Sequence, residues 1–206
     1  MATIGLRDLF YAPTTEDSQG VEKYGTPVRM AKAIQAQMST QIAEAKLFAD
    51  DAVDEAVKEF ISGTLTLNIN DLLPRIQAIL LGQQQDADSV LFAHGDDEAP
   101  YVAVGFRATK TRGKFKFIWL YKVKFGIPDE NYQTKGESIA FQTPTIVGTY
   151  IKRNDGEWKA DYVGTPTDEV GKAWFTAVRE KNPITPDPGD TSDPGDTSDL
   201  GDTQDP

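Results

Sequence analysis

His94 is the one histidine of the chain and stands before Gly95-Asp96-Asp97-Glu98. A nucleophilic triad would therefore have a single base, with Asp96 or Asp97 to orient it and a distant hydroxyl such as Ser138 to activate. No nucleophile elbow surrounds that serine and no oxyanion-hole signature accompanies it. A histidine beside acids in a polar turn reads instead as a solvated turn residue. Carboxylates cluster at Asp50-Asp51, Asp54-Glu55 and Asp96-Asp97-Glu98. Glycoside hydrolysis needs two of them roughly 5 to 9.5 Å apart across a sugar cleft. The aromatics that could line such a cleft belong to strand faces, and acid pairs at turns hydrate a loop or cap the next element. With no cysteine, thiolate metal sites, disulfides and cysteine nucleophiles are excluded together. Glycine-rich phosphate loops are absent. No catalytic residue, metal or cofactor is expected.

A second constellation is basic. Arg107, Lys110, Arg112, Lys114, Lys116, Lys122 and Lys124 follow one another without an acid, interleaved with Phe115, Phe117, Trp119 and Tyr121. Such a run resembles a stacking platform for single-stranded nucleic acid. Alternation, however, puts aromatics and lysines on opposite faces, so the rings are expected in the core and the lysines in water or against acids.

Those residues must be held by strands. From Lys114 to Phe125 the chain has period two, with Phe115, Phe117, Trp119, Tyr121, Val123 and Phe125 on one face. Tyr101–Phe106 and the turn Thr111-Arg112-Gly113 make it a hairpin. A third long strand is expected with Ile139, Phe141, Thr143, Thr145, Val147, Thr149 and Ile151 on one side. There Gly148 marks a bulge or a close backbone approach, and Pro144 an edge or irregularity. Thr64–Ile69 is a short strand. Two helices are predicted. One is capped by Asp71, carries Pro74 in its first turn, buries Leu72, Ile76, Ile79 and Leu80, and stops at Gly82. The other runs from Thr167 or Asp168 to about Lys181, with Val170, Trp174, Ala177 and Val178 inward. Residues 29–60 are rich in Ala, Glu, Lys and Gln and lean helical, although short alternating segments fit them too.

The 206 residues carry a net charge of −11 and no apolar run long enough to span a bilayer. Met1–Gly5 shows no secretory leader. Residues 183–206 repeat Pro-Gly-Asp-Thr-Ser-Asp and hold seven Asp without Lys or Arg, which leaves residues 1–182 at −4. The repeat lacks the ligand spacing and closing glutamate of a calcium loop and is expected as a solvated, extended tail. The chain thus divides into two domains: 1–182 folded, 183–206 an acidic appendage. A near-neutral, slightly acidic body attracts neither nucleic acid nor anionic membrane.

Several segments together resemble a family. They are Ile4–Ala12, Tyr24–Pro27, Ala45–Asp51, Ser62–Leu67, Ala99–Arg107, Trp119–Phe125 and Lys135–Gly148. In this order and spacing they resemble the major tail protein, the tail tube subunit, of long-tailed non-contractile phages and prophages of Gram-positive bacteria. The resemblance covers nearly all of residues 1–182 and none of the repeat; some relatives carry an immunoglobulin-like domain there. It implies a mainly β fold, a β-sandwich with a flanking α-helix and a short C-terminal helix. It also implies self-assembly into stacked hexameric rings that form a conduit for DNA ejection in the virion tail, from protein made in the host cytoplasm. Tape measure, tail terminator and distal tail proteins are the implied partners, and DNA passes the lumen without specific binding. Against the helical lean, the resemblance makes residues 29–60 two strands and an extended loop. Glu44–Phe60 becomes an arm reaching the adjacent ring, with Leu47 and Phe48 as apolar anchors and Asp50 and Asp51 as polar rim. Six bodies at −4 put about −24 on a ring, which disfavours capture of DNA. A monomeric carbohydrate- or cell-surface-binding β-sandwich, using Trp158 or Tyr162, is the alternative.

Overall fold

A computed structural model describes residues 2–49, 52–134 and 141–181. Asp50, Asp51, Ser138, Ile139 and the repeat at 183–206 lie outside the described residues. In chain order the elements are β1 (Thr3–Glu16), β2 (Glu22–Tyr24), β3 (Val28–Ala31), β4 (Ala33–Ala49), β5 (Ala52–Ile69) and α1 (Pro74–Leu81). Next come β6 (Gln84–Gln85), β7 (Leu91–Phe92), β8 (Tyr101–Lys110), β9 (Phe115–Phe125), β10 (Thr145–Ile151), β11 (Lys159–Gly164) and α2 (Glu169–Ala173). The chain is mainly β, with one large antiparallel sheet of nine strands in the order β2-β1-β8-β9-β10-β5-β4. β3 lies along β1 and β11 along β9.

Each face of this sheet carries a core, over different strands. Leu9 and Tyr11 of β1 share one core with Leu65, Leu67 and Ile69 of β5, near the far end of the strand order. The sheet therefore curls about that core. Ile76 and Leu80 of α1 join it. On the opposite face Ala12, Ala103, Phe117, Trp119 and Tyr121 form a second cluster with Trp174 and Val178 of the C-terminal segment.

The β8–β9 hairpin is as predicted, but its alternation is not uniform. Val102 pairs with Val123 and Val104 with Leu120, so two steps of β8 match three of β9. This extra residue is a β-bulge, and a one-residue slip exchanges the faces. Upstream, Phe117, Trp119 and Tyr121 face the C-terminal segment; downstream, Val123 and Phe125 turn to the other core. The expected single face of six is corrected accordingly. Lys122, expected outside, is buried with Tyr121 on its side of the bulge.

Three further expectations shift. α1 begins after Leu73, which makes no side-chain capping bond, so Asp71 is not its cap. Its buried residues are Ile76, Leu80 and Leu81, with Ile79 exposed. Gly82 does end it, at φ 70°, donating its N–H to the Ala78 carbonyl. The second helix is only Glu169–Ala173, capped by Asp168, which accepts from the Gly171 N–H at 2.7 Å. Trp174 and Val178 remain buried beyond it because Trp119 Nε1 donates to the Trp174 carbonyl and Tyr121 OH to that of Arg179. Ala177 faces solvent. β10 starts only at Thr145, since Pro144 has no N–H for a ladder, and Phe141 is exposed. Its buried face is Ile146, Gly148 and Tyr150, and Gly148 lies so close to Val123 and Phe125 that a Cβ would meet them at 2.8–2.9 Å.

Candidate assembly surface

Residues 29–31, 33–49 and 52–60 are strands, not helix: β4 and β5 pair from Ala33↔Ile69 out to Ala49↔Ala52. Pairing overrides the alanine propensity because every β4 residue but Ile34 gains a ladder partner and the root of the hairpin gains a core. Only that root is buried. Met38 and Ala36 pack on the inner core opposite Leu65 and Leu67, while every described side chain of residues 41–47 and 52–59 is exposed. The outer half is a two-stranded ribbon standing away from the body.

Its side chains are not those of a solvated turn. Ile42, Leu47, Val53, Val57 and Ile61 are each more than half exposed. Leu47 lies opposite Glu55, and Val57 opposite Ala45 on the same face. The other face carries Glu44 bonded to Lys46 at 3.1 Å and Lys58 at 3.5 Å. Exposed aliphatics alternate there with paired charges, a composition that suits contact with another protein surface. Of the residues expected to anchor it, Leu47 is on this ribbon and exposed, and Phe48 is placed opposite Val53. Asp50 and Asp51 lie outside the described residues. Ile42, Val53, Val57 and Ile61 are not among the expected anchors, though Val53 and Val57 could have been found as the aliphatics among the acids of 52–59.

The ribbon leaves the body at an aromatic stack. Phe60 lies on Trp158 with centroids 4.6 Å apart and planes 7° from parallel, and Trp158 lies on Tyr150 at 5.6 Å and 12°. Tyr150 OH sits 3.0 Å from Thr40 Oγ1 and donates to the Ser39 carbonyl at 3.1 Å. Lys152 adds an ion pair to Glu59 at 3.0 Å. The extra β5 residue in the ladder, Ile61, falls beside this stack, between Gln41↔Ser62 and Ile42↔Phe60. No local sequence pattern signals this joint, because the three rings come from three separate segments.

Two backbone features complete the surface. β4 ends the strand order, so along its length one edge has no partner strand among the described residues. Such an edge is a template for another strand. The sheet face turned away from the inner core carries Gln35, Gln37, Ser39 and Gln41 on β4. Facing them are Ser62, Thr64, Thr66 and Asn68 on β5, then Thr145, Val147 and Thr149 on β10. None of these side chains ionises.

The remaining candidates are accounted for locally. His94 is exposed in a turn where its Nδ1 accepts from the Asp96 N–H at 3.2 Å, while its own N–H donates to Asp97 Oδ2 at 2.7 Å. Asp54 and Glu55 stand on the exposed ribbon. Three of the hairpin lysines are neutralised within the chain: Lys116 by Asp161 at 2.8 Å, Lys124 by Glu98 at 2.9 Å, Lys122 by Glu16 and Glu22 at 2.9 Å each; Lys110, Arg112 and Lys114 at the hairpin tip have no ion-pair partner among the described residues. Burial works against the Glu22 carboxylate, but the Lys122 and Asn154 N–H donors outweigh it and hold its pKa below the usual 4.5. Tyr162, a candidate glycan contact, donates to Asp168 and packs on Phe117 and Trp174. Among the described residues no three acidic or histidine side chains converge as metal ligands. No helix described is long and apolar enough to cross a membrane. No family model and no curated protein matches the chain.

Proposed function

We propose that this chain is a structural subunit that assembles with copies of itself into stacked hexameric rings, the tail tube of a long-tailed phage. The observation that carries the reading is the β4–β5 ribbon, which holds exposed aliphatics away from a body that has buried cores of its own. A ribbon so exposed is costly alone and is satisfied when it lies on a neighbour. The unpaired β4 edge supports closure side by side, since a ring of strands hides its edges. A head-to-tail contact through the ribbon then grows as a stack until another protein sets its length. Tape measure, terminator and distal tail proteins would supply those limits.

The uncharged face of β4, β5 and β10 suits a wall along which DNA slides, because it offers a phosphate no cation to release counterions against. On this reading the lumen is lined by hydroxyls and amides. Negative-stain microscopy of the purified chain tests the proposal. Rings or tubes support it, and a chain that remains monomeric on concentration and on addition of tail-tip proteins overturns it.

A further inference from the structure

A concavity at one end of the sheet holds more positive charge than the described residues balance. It is walled by Arg7, Arg29, Lys32 and Arg107, with Asp8 as its one acid. Arg7 and Arg107 are directly opposed in the β1–β8 ladder, an arrangement of like charges that destabilises a sheet unless something else is present. Asp8 stands at the β1 irregularity between them with φ 54° and accepts from Arg107 Nε and, at 3.3 Å, from Arg29 Nη2. Arg7 and Lys32 have no ion-pair partner among the described residues. Four cations around one carboxylate leave three charges unmatched in a body that is acidic as a whole.

The chain carries its own counterpart. Residues 183–206 hold seven aspartates and no cation. We propose that the Arg7–Arg29–Lys32–Arg107 concavity is a carboxylate-binding site occupied by aspartates of this acidic repeat, from the same chain or a neighbouring copy. The segment leading to the repeat lies on the face of the sheet to which Arg107 belongs. The Arg107 guanidinium is 5.9 Å from the Phe117 ring, which in turn is 5.8 Å from the Trp174 ring. From there the segment runs along β9 past Tyr121, whose hydroxyl holds the Arg179 carbonyl at 2.6 Å. Returning from Tyr121 to Phe115 requires about 20 Å of strand. The nine residues from Lys181 to Asp190 span at most about 30 Å, so the repeat reaches without strain. Nucleic-acid phosphate fits less well: the chain carries a net charge of −11 that repels a polyanion, and Lys116, Lys122 and Lys124 are already paired.

The site rests on charge and geometry within one chain and stands apart from the tube reading. Carbodiimide coupling of the full-length protein, followed by peptide mass spectrometry, reads it directly through the Lys32 amine. Coupling of Lys32 to Asp187–Asp205 peptides, exceeding that of the exposed Lys172, is expected. It should fall about fivefold in Arg7→Glu, whose circular dichroism should be unchanged, and likewise in high salt. Isotope-mixed protein separates pairing within a chain from pairing between copies, either of which supports the site. Coupling spread over exposed lysines and indifferent to Arg7→Glu overturns the proposal. So does binding of a duplex oligonucleotide that Arg7→Glu abolishes, with no Lys32 coupling to the repeat.

Discussion

Phe60, the last residue of the exposed ribbon, stacks on Trp158 of the β10–β11 connection at 4.6 Å and nearly parallel. Two residues almost a hundred positions apart thus set the angle at which the ribbon leaves the body. The contact joins the part of the molecule that is folded by its own core to the exposed ribbon, the part that on the proposed reading lies on a neighbour.

Trp158→Ala should loosen that joint without unfolding the sheet. Removing a partly buried indole from the stack should cost about 2 kcal/mol in urea unfolding. Amide exchange within 42–59 should quicken more than in β8 or β9. Trp158→Phe, which preserves a stacked ring, should restore most of the protection. Equal acceleration throughout the sheet would show that the stack only stabilises and does not orient.

Gly63 lies beneath the Tyr150 ring, where an added methyl would collide with it. Gly63→Ala should therefore cost about 1–3 kcal/mol through displacement of Tyr150 and its bond to Ser39. Gly95, with open space around its Cα, should accept alanine within about 0.5 kcal/mol. Denaturant midpoints of the two variants decide the matter.

The buried Lys122–Glu22 pair gives stability a definite pH dependence. Glu22 has its carboxyl pKa lowered from 4.5, so its contribution is complete above pH 4.5 and is lost as pH falls through the lowered folded value. Burial opposes the Lys122 ammonium, but Glu16 and Glu22 outweigh it and raise its pKa above 10.5. That contribution is complete below pH 10.5 and is lost as pH rises through the raised value. Glu22→Gln should cost about 3 kcal/mol at neutral pH and flatten the acid limb of a plot of unfolding midpoint against pH. An unchanged acid limb would remove Glu22 from the account.

The way each residue is held decides whether its place is legible in the sequence. The β8–β9 hairpin is legible because Phe115 to Tyr121 alternate and a Thr-Arg-Gly turn precedes them. The β-bulge at Tyr121–Lys122 is not, since an extra residue changes partners without changing composition. It is the reason Lys122 is buried while Lys116 and Lys124 are not. Trp174 and Val178 have helical spacing and are both buried, yet the helix ends at Ala173. Their spacing reports which side chains are covered, and hydrogen bonds from Trp119 and Tyr121 do the covering. For residues 33–49 alanine content points to a helix, and only the pairing with β5, which no local pattern encodes, makes them a strand. Leu47 comes from the resemblance; Val53 and Val57 are visible as aliphatics among the acids of 52–59, and only the face that Val57 shares with Leu47 requires the register.

The central claim is that the ribbon's aliphatic surface joins copies of this chain. Leu47→Glu combined with Val57→Glu puts two carboxylates on one exposed face and should leave the fold and its unfolding midpoint unchanged. Sedimentation velocity with negative-stain microscopy, at matched high concentration, compares it with the unaltered chain. Rings or tubes from the unaltered chain and only slow-sedimenting single subunits from the double variant are the predicted result. Assembly that proceeds equally in both, or in neither, would contradict the claim.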